Sequence, residues 1–163
     1  MNILITGGTG LIGHALIKNI NADRVIVLTR NREKASQMLP ANIELITTLD
    51  EVNFNELDVI VNLAGEAIVD KRWTNKQKDL ICQSRWQITQ DLVEKIQTAT
   101  TPPHCFISGS AIGFYGRQGS AAIDESHQAI HNEFSHHVCR KWEEIALRAD
   151  SEKTRVCLIR TGI

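Results

Sequence analysis

Short apolar runs and helical apolar spacings alternate along this chain. Residues 3–5 form an uninterrupted apolar run, and between residues 11 and 20 the apolar side chains recur at three- and four-residue intervals. An uninterrupted run is typical of a strand buried on both faces, whereas the longer spacing is typical of an amphipathic helix. The pattern therefore predicts a strand followed by a helix.

The same alternation continues along the rest of the sequence. It predicts further strands at residues 24–29, 43–46, 58–63, 105–107 and 155–159, and further helices at residues 32–39, 75–98 and 133–149. Strands that alternate with helices predict a parallel sheet covered on both faces. With right-handed crossovers this is the doubly wound α/β architecture of the Rossmann fold.

Three glycines at three-residue spacing connect the first predicted strand to the first helix. Gly7 permits a tight turn, Gly10 permits the backbone to approach a pyrophosphate, and Gly13 permits the helix to pack close to the strand. Leu11 and Ile12 begin the helix, where free N–H groups and the helix dipole favour phosphate. Glycine-rich turns also close ordinary hairpins, but a turn between a strand and a helix favours a dinucleotide site at these five residues.

The loop has the spacing T-G-x-x-G-x-x-G, which resembles the short-chain dehydrogenase/reductase superfamily in its extended, epimerase-like branch. Members of that branch continue into a substrate-binding lobe after the sixth strand, whereas this sequence stops there. We therefore expect residues 1–163 to be the cofactor-binding domain of a longer protein, without the C-terminal substrate lobe.

The end of the second predicted strand indicates which nucleotide binds. An acidic residue at this point normally binds the ribose hydroxyls of NAD. This chain has Thr29 and Arg30 there, and its first carboxylate is Glu33. The Arg30 guanidinium can pair with a 2′-phosphate, to which Thr29 can also donate its hydroxyl. A solvated basic loop is the alternative, and we predict NADP as the cofactor.

The fourth predicted strand ends in a segment, residues 62–66 (NLAGE), similar to one that lies against the nicotinamide side of the cofactor in the superfamily. Small residues here allow close backbone approach. The resemblance implies cofactor contacts at Leu63, Ala64 and Gly65, and a plain exit from the strand is the alternative.

Extended-branch enzymes usually carry a Ser or Thr after the fifth strand and a Tyr-x-x-x-Lys pair on the next helix. Residues 107–116 (ISGSAIGFYG) resemble the first of these motifs with one extra residue, and Ser110 best matches the hydroxyl that orients the substrate oxygen. A turn serine is the alternative. The Tyr-Lys pair is missing, because Tyr115 is the only tyrosine and no lysine follows it at the fourth position. His137 and Lys141 have the i, i+4 spacing, so His137 is an alternative acid/base, although surface histidines are common.

Seven motifs occur in an order that resembles the YfcH-like epimerase family, an atypical branch of the superfamily, and they span the whole chain: GGTGLIG, NLAGE, KRWT, SRWxxT, SGSAxGFYG, CxKWE and TRVCLIRTG. The resemblance implies that NADP binding is kept while the Tyr-Lys pair is not. It also brings Arg85 to the cofactor, with a solvated helix arginine as the alternative.

Two functions are consistent with these motifs. The first is an NADP-dependent oxidoreductase or epimerase-like enzyme that acts on an unidentified small molecule. The second is a non-catalytic NADP(H)-binding regulatory protein, since some relatives carry a cell-division label.

The composition limits the kinds of partner that this protein is expected to bind. The net charge of −1, without charged blocks, gives no reason to expect nucleic acid or an anionic membrane as partner. No apolar run approaches the roughly 18 residues that span a bilayer. The cysteines form no C-x-x-C pair and the histidine spacings match no standard metal site, so we expect no metal. Because the N-terminus is itself a predicted strand, we expect no signal peptide, and we expect a cytoplasmic protein.

Overall fold

Six strands form one parallel sheet in the order β3-β2-β1-β4-β5-β6. The computed structural model describes residues 1–120, 122–127 and 130–162. The strands are β1 (Asn2–Thr6), β2 (Arg24–Leu28), β3 (Glu44–Ile46), β4 (Val59–Asn62), β5 (Cys105–Ala111) and β6 (Arg155–Thr161). The strand order changes direction between β1 and β4, which confirms the doubly wound Rossmann architecture.

Four helices connect the strands, as the apolar spacing predicts. They are α1 (Leu11–Asn19), α2 (Arg32–Met38), α3 (Asn75–Thr98) and α4 (Phe134–Ala146). Polar caps fix two of their starts: the Asn31 side chain accepts a hydrogen bond from the backbone of α2, and the Thr74 side chain does the same for α3. Residues 147–149, expected to complete α4, form a separate 3-10 turn.

The strand β5 is four residues longer than the apolar run predicts. It pairs with β6 along its whole length, from Cys105 opposite Arg155 to Ala111 opposite Thr161. Its second half contains small and polar residues, which have no strand signature of their own. Pairing with β6 therefore sets the length of β5 and places Ser110 inside the strand.

Apolar side chains on the two faces of the sheet form separate clusters. Leu4 of β1 belongs to the cluster that includes α3 and α4, while Ile3 and Ile5 belong to the cluster that includes α1 and α2. This division follows from the alternation of side chains along a strand. Because both faces are covered by helices, the sheet can offer a ligand only its edge at the strand ends.

The described residues lack two kinds of feature. No helix among them has the length and apolar character needed to cross a membrane. No group of three or more His, Cys, Asp or Glu side chains in this part of the chain is arranged to hold a metal ion.

Candidate functional site

A cavity of about 680 Å³ lies at the carboxyl ends of β1, β4 and β5. Eight of the predicted site residues line it: Gly7, Gly10, Leu11, Ile12, Gly13, Leu63, Arg85 and Ser110. Four others, Thr29, Arg30, Ala64 and Gly65, are outside its lining. The volume falls within the range of small-molecule and cofactor sites.

Main-chain contacts explain the glycines of the first loop. Gly7 has φ of +70°, and a Cβ there would lie 2.6 Å from the Leu63 carbonyl group. A Cβ on Gly13 would lie 2.4 Å from the Gly7 carbonyl oxygen and 2.7 Å from Gly8 Cα. Gly13 thus packs against the loop itself rather than against the strand. A Cβ on Gly10 would meet only the Gly7 oxygen, at 3.2 Å, which leaves space beside α1.

Gly8 is a packing position that the sequence analysis missed. A Cβ there would lie 2.8 Å from a Val27 methyl group. The contact brings the loop close to β2. The three-residue spacing of Gly7, Gly10 and Gly13 gives no indication of it.

The turn after β4 is held by a buried hydrogen-bond network. Thr6 Oγ1 donates to Asn62 Oδ1 at 2.6 Å and accepts from the Ala64 backbone N–H at 3.2 Å. Asn62 Nδ2 donates to Thr89 Oγ1 at 2.8 Å, and Trp142 Nε1 donates to the same oxygen at 2.9 Å. The network fixes the turn between β1, α3 and α4, although the sequence analysis gave Thr6 no role.

Arg85 lies at the cavity wall and is not a solvated helix arginine. Its Nη1 donates to the Ile81 carbonyl and its Nη2 to the Glu66 carbonyl, each at 3.0 Å. Burial lowers the pKa of this guanidinium. Within the described residues no carboxylate lies within ion-pair distance of it, so its charge faces the cavity largely unbalanced. Gly65 makes room for it, because a Cβ there would lie 2.8 Å from Arg85 Cζ.

Thr29 and Arg30 lie at the carboxyl end of β2, outside the cavity. Thr29 Oγ1 donates to the Asn31 carbonyl oxygen and accepts from the Asn31 backbone N–H, each at 3.2 Å. Arg30 is exposed. The pKa of Glu66 is lowered mainly by its hydrogen bond from Lys71, with a smaller contribution from Arg30. The carboxylate at the end of the NLAGE segment is thus paired mainly with Lys71, and Arg30 contributes little to it.

The cavity-facing side of α4 presents residues other than those expected. His137 and Lys141 are exposed and lie against Trp86, the histidine ring at 5.5 Å and the lysine Nζ at 4.1 Å. His137, the alternative acid/base, is therefore not among the residues that line the cavity. Ser135 and Cys139, which share the same i, i+4 spacing, line the cavity instead. Val138 and Trp142 are buried on the same helix. Their apolar character and four-residue spacing are the sequence signal that indicates which side of α4 faces inward.

Cys139 is a thiol on the cavity wall. Desolvation raises its pKa, so the sulfur is protonated near neutral pH. Tyr115 is also buried, and its hydroxyl accepts a 2.8 Å hydrogen bond from Arg160 Nη1. Tyr115 is not among the residues that line the cavity.

Ser110 joins a buried ion pair that the sequence analysis missed. Its Oγ donates to Glu143 Oε1 at 2.5 Å. Arg160 donates to both oxygens of Glu143, at 2.9 and 2.8 Å, and its guanidinium stacks 3.7 Å from the Phe114 ring centroid. The carboxylate raises the pKa of Arg160 despite burial. The only signal in the sequence is that Glu143 follows Cys139 by four positions on one helix face.

Known proteins share this sequence pattern. The model of the NAD-dependent epimerase/dehydratase family matches residues 3–161. The epimerase family protein SDR39U1 homolog, chloroplastic, of Arabidopsis thaliana is 34% identical over 100% of this chain and 49% of its own length. The epimerase family protein SH2119 of Staphylococcus haemolyticus is 35% identical over 95% of this chain and 52% of its own length. The chain spans about half the length of these curated relatives.

A solved structure shares the fold as well. The human epimerase family protein SDR39U1, crystallised with NADPH, superposes with a TM-score of 0.82 at 29% identity, covering 98% of this chain and 53% of its own.

Proposed function

The chain belongs to the NAD-dependent epimerase/dehydratase family, and on that premise we propose that it is the NADP(H)-binding domain of an epimerase-like oxidoreductase of the extended short-chain type. The observation that carries the proposal is the contact between the Gly7 turn and Leu63 at the cavity floor, since it joins the two predicted cofactor segments. When bound, the nicotinamide accepts or supplies a hydride.

The residues present fit a phosphorylated dinucleotide. Gly10 is the N-cap of α1 and has no capping side chain, so the first N–H groups of α1 can bind a pyrophosphate. Arg30 supplies the cation for a 2′-phosphate at the end of β2. Arg85 supplies a second cation at the cavity wall, and Leu63, Ala64 and Gly65 border the nicotinamide side. The NADPH in the human relative supports this choice of cofactor.

Ser110 is the residue we propose to contact the substrate oxygen. It lies at the carboxyl end of β5, where ligands bind in doubly wound sheets. Its fixed hydrogen bond to Glu143 holds the hydroxyl in one orientation at the cavity wall. In this proposal the substrate is a small molecule, and the rest of its site lies in the part of the longer protein beyond this chain.

A non-catalytic NADP(H)-binding protein is the second candidate. The cavity-facing side of α4 favours it, because Ser135 and Cys139 stand where a Tyr-Lys pair would supply the proton. Hydride transfer to a carbonyl needs such a proton, so a tight NADPH complex without turnover would support this candidate.

The cofactor assignment is tested by titrating NADPH and NADH into the chain and following nucleotide fluorescence. A charge-assisted pair contributes about 1.5–3 kcal/mol, so we expect NADPH to bind roughly ten- to a hundredfold more tightly. Arg30→Ala should remove this preference while leaving NADH affinity unchanged. Arg140→Ala is the matched control, since Arg140 is exposed on α4 and pairs with Glu144. Equal affinities for the two nucleotides in the wild type would refute the assignment.

A further inference from the structure

The hydrogen bond between Ser110 and Glu143 has a defined direction. Glu143 Oε1 and Oε2 each accept from the Arg160 guanidinium, which has donors only. The pair is buried, since only 5% of the Glu143 side chain and 20% of the Arg160 side chain are exposed. An ionised carboxylate can only accept, so the single hydroxyl proton of Ser110 points at Glu143.

This direction determines what Ser110 offers to a ligand. A serine hydroxyl has one proton and two lone pairs. Because the Ser110 hydroxyl proton is hydrogen-bonded to Glu143, only the lone pairs of the Ser110 oxygen can bind a ligand in the cavity. The nearby Cys139 thiol is a weak donor, which a hydroxyl group of a ligand can displace. The serine is therefore an acceptor that binds a donor group, and it cannot donate to a carbonyl oxygen without losing the bond to Glu143.

The wall beside α4 is largely apolar. Ile68, Val69 and Trp73 from the loop after β4 line the cavity together with Phe134 and Val138 of α4. Val69 is 79% exposed and Trp73 is 42% exposed, so a ligand can bury apolar surface there. The Trp73 and Phe134 rings meet edge to face, with centroids 5.2 Å apart.

Charged groups argue against a diphosphate at this end of the cavity. The charged side chains among its described lining residues are Arg85, which the proposed function assigns to the cofactor, and Glu133. Glu133 lies next to Phe134 at the start of α4, where its carboxylate opposes an anionic ligand.

From these observations we propose that the cavity beside α4 binds a small, largely apolar alcohol, whose hydroxyl donates to Ser110, in preference to the corresponding ketone. Glu143 acts as a positioning residue, because it fixes the direction of the serine hydroxyl without touching the ligand. The proposal rests on the proposed function in that the same cavity also holds NADP(H).

The test uses 1-phenylethanol and acetophenone, which share one skeleton and differ in their ability to donate. Each is titrated into the ¹⁵N-labelled 163-residue chain, with and without saturating NADP⁺, and amide shifts at the cavity give the affinity. We expect the alcohol to bind at least about fivefold more tightly, from the usual strength of one hydrogen bond.

Two variants distinguish the role of Ser110 from that of Glu143. Ser110→Ala should abolish the preference for the alcohol. Glu143→Gln should weaken it, because the amide has one oxygen in place of two and Ser110 then competes with the Arg160 donors for that oxygen. Ser36→Ala, on exposed helix α2, is the matched control and should behave as the wild type. If Glu143→Gln fails to fold, the Ser110→Ala comparison decides.

Each other outcome has a defined meaning. Equal binding of both probes, a preference for the ketone, or a preference that survives in Ser110→Ala would overturn the acceptor role. Failure of both probes to bind would overturn the apolar substrate class. Failure of NADP⁺ to bind, with the alcohol preference intact in the cofactor-free chain, would refute the proposed function and leave this inference standing.

Discussion

Alanine substitutions at Gly10 and Gly13 should separate nucleotide binding from folding. Both glycines belong to the same loop, but their surroundings differ. A Cβ on Gly13 would lie 2.4 Å from one backbone atom and 2.7 Å from another, whereas a Cβ on Gly10 would have a single neighbour at 3.2 Å. Backbone cannot rotate away as a flexible side chain can, so Gly13→Ala must displace the loop from α1.

The magnitudes follow from these distances. Overpacking of this kind costs about 1–3 kcal/mol, and for a domain of this length each kcal/mol lowers Tm by roughly 2–4 °C. Gly13→Ala should therefore lower Tm by about 2–12 °C. Gly10→Ala should change Tm little, because its backbone at φ −78° and ψ 171° suits any residue. Its methyl group occupies the space beside α1, so NADPH affinity should fall at least about tenfold, the loss of one charge-assisted hydrogen bond.

Thermal unfolding by circular dichroism and NADPH titration by fluorescence, on both variants and the wild type, give the two readouts. NADPH affinity unchanged in Gly10→Ala would show that the pyrophosphate lies elsewhere. A Tm unchanged in Gly13→Ala would show that the loop and α1 are not in close contact.

Four further substitutions test separate parts of the structure. In the longer protein that contains this chain, Ser110→Ala should lower the reduction of NADP⁺ at least about tenfold and Tyr115→Phe should change it little, which a screen over small alcohols would measure. Hydrogen bonds from the backbone of Thr47 and its neighbour lower the pKa of Glu51 from 4.5 to about 2. The stability this carboxylate contributes is thus complete above its unfolded pKa and lost as the pH falls toward 2, so Glu51→Gln should unfold at lower urea than wild type at pH 7 but not at pH 2. Asn62→Leu removes the amide at the centre of the buried network, and urea titration should show a free energy of unfolding lower by about 1–3 kcal/mol.

The succession of strands and helices and the glycine loop could be predicted because they depend on local restraints. Residues 3–5 are apolar without interruption, and Gly7 has a backbone conformation that side chains rarely adopt. Such features are visible in a short window of sequence. Helix α3 was also predicted closely, since its apolar positions recur at multiples of four and the proline pair at residues 102–103 follows its end.

The wall of the cavity could not be predicted in the same way. On α4, Ser135 with Cys139 and His137 with Lys141 have identical spacing, and only the orientation of the helix tells which pair faces the cavity. That orientation depends on packing against α3 and β5.

Pairs of residues that are far apart in the sequence could not be predicted either. The pairing of β5 with β6 places Ser110 beside Arg160, and the packing of α4 on β5 brings Glu143 to both. Motif spacing contains no information about such tertiary contacts.

The position of β1 in the middle of the sheet affects the order in which this domain can assemble. Asn2 pairs with Arg24, but Ile3 pairs on its other side with Val59, so the strand that appears first in the chain stays half-paired until β4 has been synthesised. Closing that large loop precedes the contacts that stabilise it, which slows folding relative to a helical bundle of the same size. During synthesis, the apolar β1–β2 pair is therefore exposed to non-native partners, and the helix α1 between them offers its earliest cover through Ile17.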